Sequence, residues 1–346
     1  MAEHFWLGML IVFAAGILNG SFTLPMKYAR SWTWENIWSV YSVSAMLVMP
    51  WIIAINFVPN LWQVYHGLNW RAVVYPALFG LLWGIAQTTF GLSINAVGMA
   101  MAFAIVCGLV SLTGSLVPIL AFNPADLLQP LGLTMLLSLP ALLLGLVFYA
   151  KAGRQRENEQ RASASGAKRQ GMSFKTGLAL CVFTGIFGSA WNLGFVFSGD
   201  TLRRSTELGA PPSTATYAAW ALVLSGGFLP NILYPAGLLW RRRTWPLFGK
   251  RHWPRELALG LMMALLWLGA ILGYGIGATF VGKYGTSVGF ALYIATSILA
   301  SNAIGALTGE WKGSSSRTRK LLAVGISLIL VSVAILNLGG VFSRSP

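Results

Sequence analysis

Stretches of roughly 20 apolar residues recur along the whole chain, each long enough to cross about 30 Å of hydrocarbon as a helix. They read as 5–27, 35–58, 72–94, 98–121, 130–150, 175–199, 213–240, 256–280, 285–310 and 320–342. In hydrocarbon only helices and closed barrels satisfy their own backbone. The runs are too long for barrel strands and lack two-residue alternation. The expected fold is therefore an all-α polytopic membrane protein with ten transmembrane helices. Composition agrees, since 10% of the residues are charged against about 25% in a soluble domain.

The formal charge of +15 raises the question of a nucleic-acid partner, and the placement of the charges answers it. With connections assigned alternately to two sides, nineteen of the 24 basic residues fall in 27–30, 151–175, 241–255 and 312–320. The other side holds Arg71, Arg203, Arg204, Lys283 and Arg344. This is the positive-inside pattern, which puts the basic loops in the cytoplasm and both termini outside, in a bacterial inner membrane. The basic excess then reports topology and affinity for anionic lipid heads, and no nucleic-acid partner is expected. The opening "MAEHFWLGML" lacks a basic n-region and a small-residue cleavage pattern, so it reads as the first span and not as a signal peptide. Cys107 and Cys181 fall inside spans without paired spacing and read as apolar filler.

The polar stretch 151–174, "KAGRQRENEQRASASGAKRQGMSF", reads as a flexible cytoplasmic basic linker. It separates 1–150 from 175–346, and the two halves resemble each other. Leu81, Leu82, Trp83, Gly91, Val97 and Gly98 recur as Leu265, Leu266, Trp267, Gly275, Val281 and Gly282, with Phe90 answered by Tyr274. A shorter echo links "AGILNGSF" in span 1 to "TGIFGSAW" in span 6. Five spans per half make the second half enter the membrane from the opposite side. The expected plan is two inverted five-helix repeats with a site between them, as in many secondary transporters.

Polar residues mark the faces of such a site. Span 3 lines up Gly84, Gln87 or Thr88, Gly91 and Asn95 on one helical stripe. Span 1 offers Asn19 and, at its cytoplasmic end, Lys27; span 6 offers Asn192; span 9 offers Tyr293 and Asn302; span 7 offers Tyr217; span 2 offers Trp38. Hydroxyls in such helices often bond back to their own backbone, and amides can be interhelical glue. A cavity of amides, hydroxyls and rings suits a neutral polyhydroxylated solute, because amides both donate and accept and rings cover C–H faces. A fixed ion would call for a buried counter-charge.

Of nine carboxylates none falls in the middle of a span. Glu35, behind Thr33 as a cap, opens span 2 among Trp34, Trp38 and Lys27. The helix dipole alone favours an acid there, and the alternative is a proton-binding or gating group. Glu310 and Glu256 read as span-end residues. No nucleophile with a base, metal cluster or phosphate loop is evident, so neither an enzyme nor a cofactor is expected.

The phrases "LPMKYARSWTWENIWSV", "MPW", "FGLLWGIAQTTFGL", "VGMAMAFAI" and "GEWK" resemble, in order, the bacterial L-rhamnose–proton symporter family of the drug/metabolite transporter superfamily. The resemblance implies a cavity lined by the first four helices of each half, and a deoxy sugar such as L-rhamnose driven inward by protons. Glu35, Trp38 and Gln87 match the family's motif positions, although its members carry Asn at the last. Tyr293 stands where they carry a histidine. The alternatives are an exporter or uniporter of another neutral metabolite in the same superfamily, a membrane-embedded enzyme, or a structural helper. Oligomeric state is not legible in the sequence.

Overall fold

The computed structural model describes residues 2–97, 99–122, 124–163, 173–250, 252–309 and 311–342. Among these the regular structure is helical throughout. In chain order the α-helices are α1 (Ala2–Ser21), α2 (Trp34–Ser42), α3 (Met49–Phe57), α4 (Leu61–His66), α5 (Trp70–Val97), α6 (Met99–Phe122) and α7 (Pro130–Ser163). The second half contributes α8 (Phe174–Phe187), α9 (Ala190–Val196), α10 (Gly199–Glu207), α11 (Pro212–Arg242), α12 (Trp253–Val281), α13 (Phe290–Leu307) and α14 (Ser316–Phe342).

Among the described residues eight helical stretches are long and apolar enough to cross a bilayer: His4–Tyr28, Trp34–Phe57, Trp70–Phe90, Gly132–Arg156, Lys175–Glu207, Pro212–Arg242, Trp253–Val281 and Gly285–Leu307. The fold is an all-α, multi-pass membrane fold. The remaining expected spans, 98–121 and 320–342, coincide with α6 and α14, helices of 24 and 27 residues. Several of their side chains lie outside the described set, as do Glu310 and the side chain of Asn95.

Local sequence explains where the long helices deform. Pro50 has no N–H to give and its ring crowds the preceding turn, and the turn before it, Val43–Val48, widens to a π-helix. Span 6 breaks at Gly188 and Ser189, between α8 and α9. Its echo in span 1 ends α1 at Ser21, so both copies of the Gly-Ser phrase stop a helix. Proline at the first turn of α11 costs nothing, because that N–H has no partner anyway.

The chain divides into two compact units, Met1–Thr88 with Ala190–Gly285, and Thr89–Ser189 with Thr286–Pro346. In the first, α2 and α3 run antiparallel to α11. Trp38 Nε1 donates to Asn231 Oδ1 (3.4 Å), Trp51 Nε1 to Ser225 Oγ (2.8 Å) and Tyr65 Oη to the Ala218 carbonyl (2.9 Å). α1 lies antiparallel on α12, where a Cβ at Gly8 would stand 2.8 Å from the Gly277 carbonyl and one at Gly273 3.3 Å from Ala15. α5 crosses α11 so closely that a Cβ at Gly80 would collide with the carbonyl of Val223, and one at Gly226 with that of Ala77. Lipid supplies no hydrophobic drive between helices, so such close backbone approach is what holds them.

In the second unit α7 and α14 run antiparallel and cross at Gly145 and Gly325. A Cβ on either glycine would stand 2.9 Å from the other's carbonyl. α6 meets α8 through Thr113 Oγ1, 2.8 Å from Ser189 Oγ, and Thr89 Oγ1 lies 2.8 Å from Thr184 Oγ1.

Two connections differ from expectation. α7 does not stop at residue 150 but continues to Ser163, through half of the expected flexible linker. Its Lys, Arg, Gln and Glu residues are good helix formers, and Glu159 caps the start of α14 from there. The Glu159 carboxylate accepts from the Ser315 N–H (3.0 Å), the Ser315 hydroxyl and the Thr318 hydroxyl (2.7 Å). The loop after span 6 is the short helix α10, whose Arg204 Nε donates to the Gln63 carbonyl (3.3 Å).

Candidate functional site

The densest polar contacts of the first unit gather where α1 and α11 end and where α2 and α12 begin. Glu35, in the first turn of α2, is fully buried. Arg242 Nη1 donates to its Oε2 (3.3 Å) and Thr244 Oγ1 to its Oε1 (3.0 Å). Arg242 remains 60% exposed, so water screens half of the pair and the helix dipole adds its share. Between the two partners, Arg243 adopts left-handed backbone (φ 53°), a conformation that costs an ordinary residue roughly 1–2 kcal/mol. The turn is held there by what flanks it.

Further bonds join the same two loops. Trp32 Nε1 donates to the Leu247 carbonyl (2.9 Å), Asn36 Nδ2 to the Thr244 carbonyl (3.1 Å) and Arg255 Nη2 to the Tyr28 carbonyl (3.2 Å). Glu256, fully buried, accepts on Oε1 from the N–H groups of Arg30 and Ser31 (3.0 Å each) and from Ser31 Oγ (3.1 Å). Lys27 is exposed in the adjoining 3₁₀ turn Pro25–Tyr28.

An aromatic column leads away from this polar cluster. Trp34 stacks on Trp38 (5.0 Å between centroids), Trp38 meets Tyr41 (5.0 Å), and Tyr41 sets its edge on Trp267 (5.7 Å). Trp267 stacks in turn on Trp83 (5.7 Å, planes within 13°). Trp38 is half-buried and its indole N–H is anchored by Asn231, whose own Nδ2 donates to the Gly227 carbonyl (3.0 Å).

The other expected residues are dispersed. Asn192 is buried, accepts from the Tyr274 hydroxyl on Oδ1, and sits in an aromatic packet with Trp191, Phe195 and Trp220. Gln87 and Thr88 are half-buried on α5, the Thr88 hydroxyl bonding back to the Gly84 carbonyl (3.1 Å). Gly84, on the stripe whose small residues were expected to let helices approach closely, packs against Gly227 and Pro230. Asn19 is half-buried on α1. Tyr217 belongs to a cluster with Ala54, Leu61 and Ala218. It lies 25 positions before Arg242 on one helix, roughly 37 Å away, so it is not brought together with Glu35. Near Tyr217, a 310 Å³ cleft at the α3–α4 turn holds none of the expected residues. In the second unit Tyr293 is fully buried, and Asn302 Nδ2 donates to the Ile298 carbonyl (2.8 Å).

Sequence reasoning placed Thr33 as the cap of α2, and it is the N-cap residue, although its hydroxyl makes no cap bond and donates to Asn36 Oδ1 (2.6 Å). It set Glu35 among Trp34, Trp38 and Lys27, whereas the partners its carboxylate finds are Arg242 and Thr244. It missed Asn231, although an amide inside an apolar run was the signal to follow. It also missed Ser31 and Glu256, whose pairing spans 225 positions.

A sequence profile of the L-rhamnose-proton symport protein (RhaT) matches residues 1–342. The L-rhamnose-proton symporter of Cronobacter sakazakii is 25% identical over 346 residues, covering 98% of this chain and 99% of the relative. Those of Salmonella paratyphi B and Salmonella newport are each 25% identical over 325 residues, covering 92% of this chain and 93% of the relative. A match over nearly the whole chain places it among transport proteins and not among enzymes. The chain belongs to the L-rhamnose-proton symport protein family, within the drug/metabolite transporter superfamily.

Proposed function

We propose that this protein is a secondary active transporter that brings L-rhamnose, or a small neutral deoxy sugar of the same kind, into a bacterial cell together with protons. The full-length family match carries the reading. The architecture proposed with it is ten transmembrane helices in two inverted repeats, 1–150 and 175–346, joined by the basic linker 151–174. Two observations favour that plan. Counterpart segments of the halves pack on each other, α2 with α11 and α7 with α14, and both pairs run antiparallel. The counterpart tryptophans Trp83 and Trp267 stack.

Lys27, Arg30, Arg241, Arg242, Arg243, Lys250 and Arg255 cluster at the Glu35 end of the first unit. By the positive-inside rule this end is the cytoplasmic mouth, and both termini lie outside. There Glu35 acts as a gate group, its pair with Arg242 tying α2 to α11 while the mouth is shut, and Lys27, on the 3₁₀ turn Pro25–Tyr28, is the second proposed gating group. Trp38 offers a ring face to the apolar side of the sugar. Asn19, Gln87, Thr88, Asn95, Asn192, Tyr217, Tyr293 and Asn302 are the remaining proposed contacts. Of these Asn192, Tyr293 and Asn302 are buried and Tyr217 is packed in its cluster, so all four must leave their present packing to reach a solute.

Uptake of labelled L-rhamnose by vesicles holding the purified protein, under an inside-alkaline pH gradient, tests the reading. Accumulation above the external concentration that collapses with a protonophore is expected. Equilibration without accumulation would leave a uniporter, and failure to take up any neutral sugar would end the proposal.

A further inference from the structure

Two buried carboxylates face the cytoplasmic mouth, and their surroundings differ in kind. Glu35 has a cation, Arg242, on one oxygen and a hydroxyl on the other. Protonating it would forfeit an ion pair. Glu256 has no salt bridge among the described residues. Its Oε1 takes all three of its donors, the Arg30 N–H, the Ser31 N–H and the Ser31 hydroxyl, and all three come from the loop between α1 and α2. Its Oε2 is buried without a hydrogen-bond partner. A buried charged oxygen without a bonding partner is costly, and it is the open position for a proton.

We infer that Glu256 carries the coupled proton, and that its ionised form latches the α1–α2 loop onto the head of α12. The inference rests on the symport reading above. Bonds to an ionised carboxylate are roughly twice as strong as those to a neutral one. A proton on Oε2 weakens all three contacts at once. The latched geometry then loses its reason to persist. A proton arriving from the outer side with the sugar frees the loop, and its departure into the cytoplasm restores the carboxylate and closes the mouth again. No bond other than that to the proton is made or broken.

The neighbouring charges set the resting state. Arg255 stands on the same helix and sends its guanidinium to the Tyr28 carbonyl. Arg30 and Lys27 lie on the latched segment, Lys250 and His252 on the turn leading into α12, and the Glu35–Arg242 pair on α2 and α11. This surplus of cations and the α12 N-terminus favour the ionised, latched form until the loop is displaced.

The experiment compares two readouts on the full chain in proteoliposomes: L-rhamnose-driven proton uptake, and L-rhamnose exchange at equal pH on both sides. Wild type showing no sugar-driven proton uptake would overturn the symport reading itself. With that uptake present, Glu256→Gln is expected to lose it by about tenfold or more while exchange persists at a reduced rate. Proton uptake close to wild type in Glu256→Gln would overturn the assignment and leave the symport reading standing. Should Glu256→Gln be inert in both assays, Ser31→Ala decides. Losing one donor to Oε1 should move the midpoint of the pH dependence of proton uptake upward by roughly half a unit, and an unmoved midpoint would overturn the assignment.

Discussion

Trp83 and Trp267, 184 positions apart, lie face to face with centroids 5.7 Å apart and planes within 13°. They are the tryptophans of the repeated phrase that begins at Leu81 and again at Leu265. Trp83 is further wedged on Gly227, where a Cβ would stand 2.7 Å from its ring.

Removing either ring should therefore open a large void. Trp83→Ala and Trp267→Ala are each expected to cost about 3–5 kcal/mol, with a coupling between them of about 1 kcal/mol from the stack. Thermal unfolding of the two single variants and the double variant in one detergent measures both quantities. Strict additivity would show that the rings are neighbours without being partners.

Arg242→Gln leaves the buried Glu35 carboxylate without its ion-pair partner. The expected loss is about 1–2 kcal/mol, at the modest end because Arg242 is largely exposed. Adding Glu35→Gln removes the stranded charge, so the double variant should be more stable than Arg242→Gln alone. Melting temperatures of the three proteins test this, and a double variant that melts lowest would contradict the pairing.

In the second unit Glu159 sets a pH dependence. Its donors, Ser315 first and then Thr318, hold its carboxyl down to about 2 from an ordinary 4.5. A folded-state value below the unfolded one stabilises fully above about 4.5, and that contribution is lost as pH falls through about 2. Proteolysis of the α7 extension, compared between wild type and Glu159→Gln, should differ at pH 7, and at pH 3 the difference should shrink. A difference that is the same at both pH values would rule out the carboxylate as the cause.

The spans were legible because hydrocarbon demands length and apolarity of every segment it contains, and no distant contact changes that demand. The recurring phrase is visible in the sequence because Leu, Trp and Gly serve packing wherever they stand, and of its residues Trp83 and Trp267 meet. The site was read less well. Glu35 was visible as an acid at a helix start, but Arg242 lies 207 positions away and nothing local announces it. Glu256 looked like an ordinary span-end acid until folding brought Ser31 to it. The α7 extension was misread because charged and small residues describe a solvated helix as well as a coil, and Glu159 distinguishes them only through α14. Asn192 reads as a cavity residue in isolation and becomes a buried acceptor once Tyr274 is beside it.

The grip of α7 on α14 has a consequence for how the polypeptide could be made. One helix belongs to each half, and Gly145, Gly325, Glu159 and Ser315 fasten them without help from the peptide chain. A shared bilayer keeps these two helices near each other whatever joins them. The molecule is in that sense a heterodimer written as one gene, and two separately translated pieces divided between α7 and α8 hold the information to rebuild it.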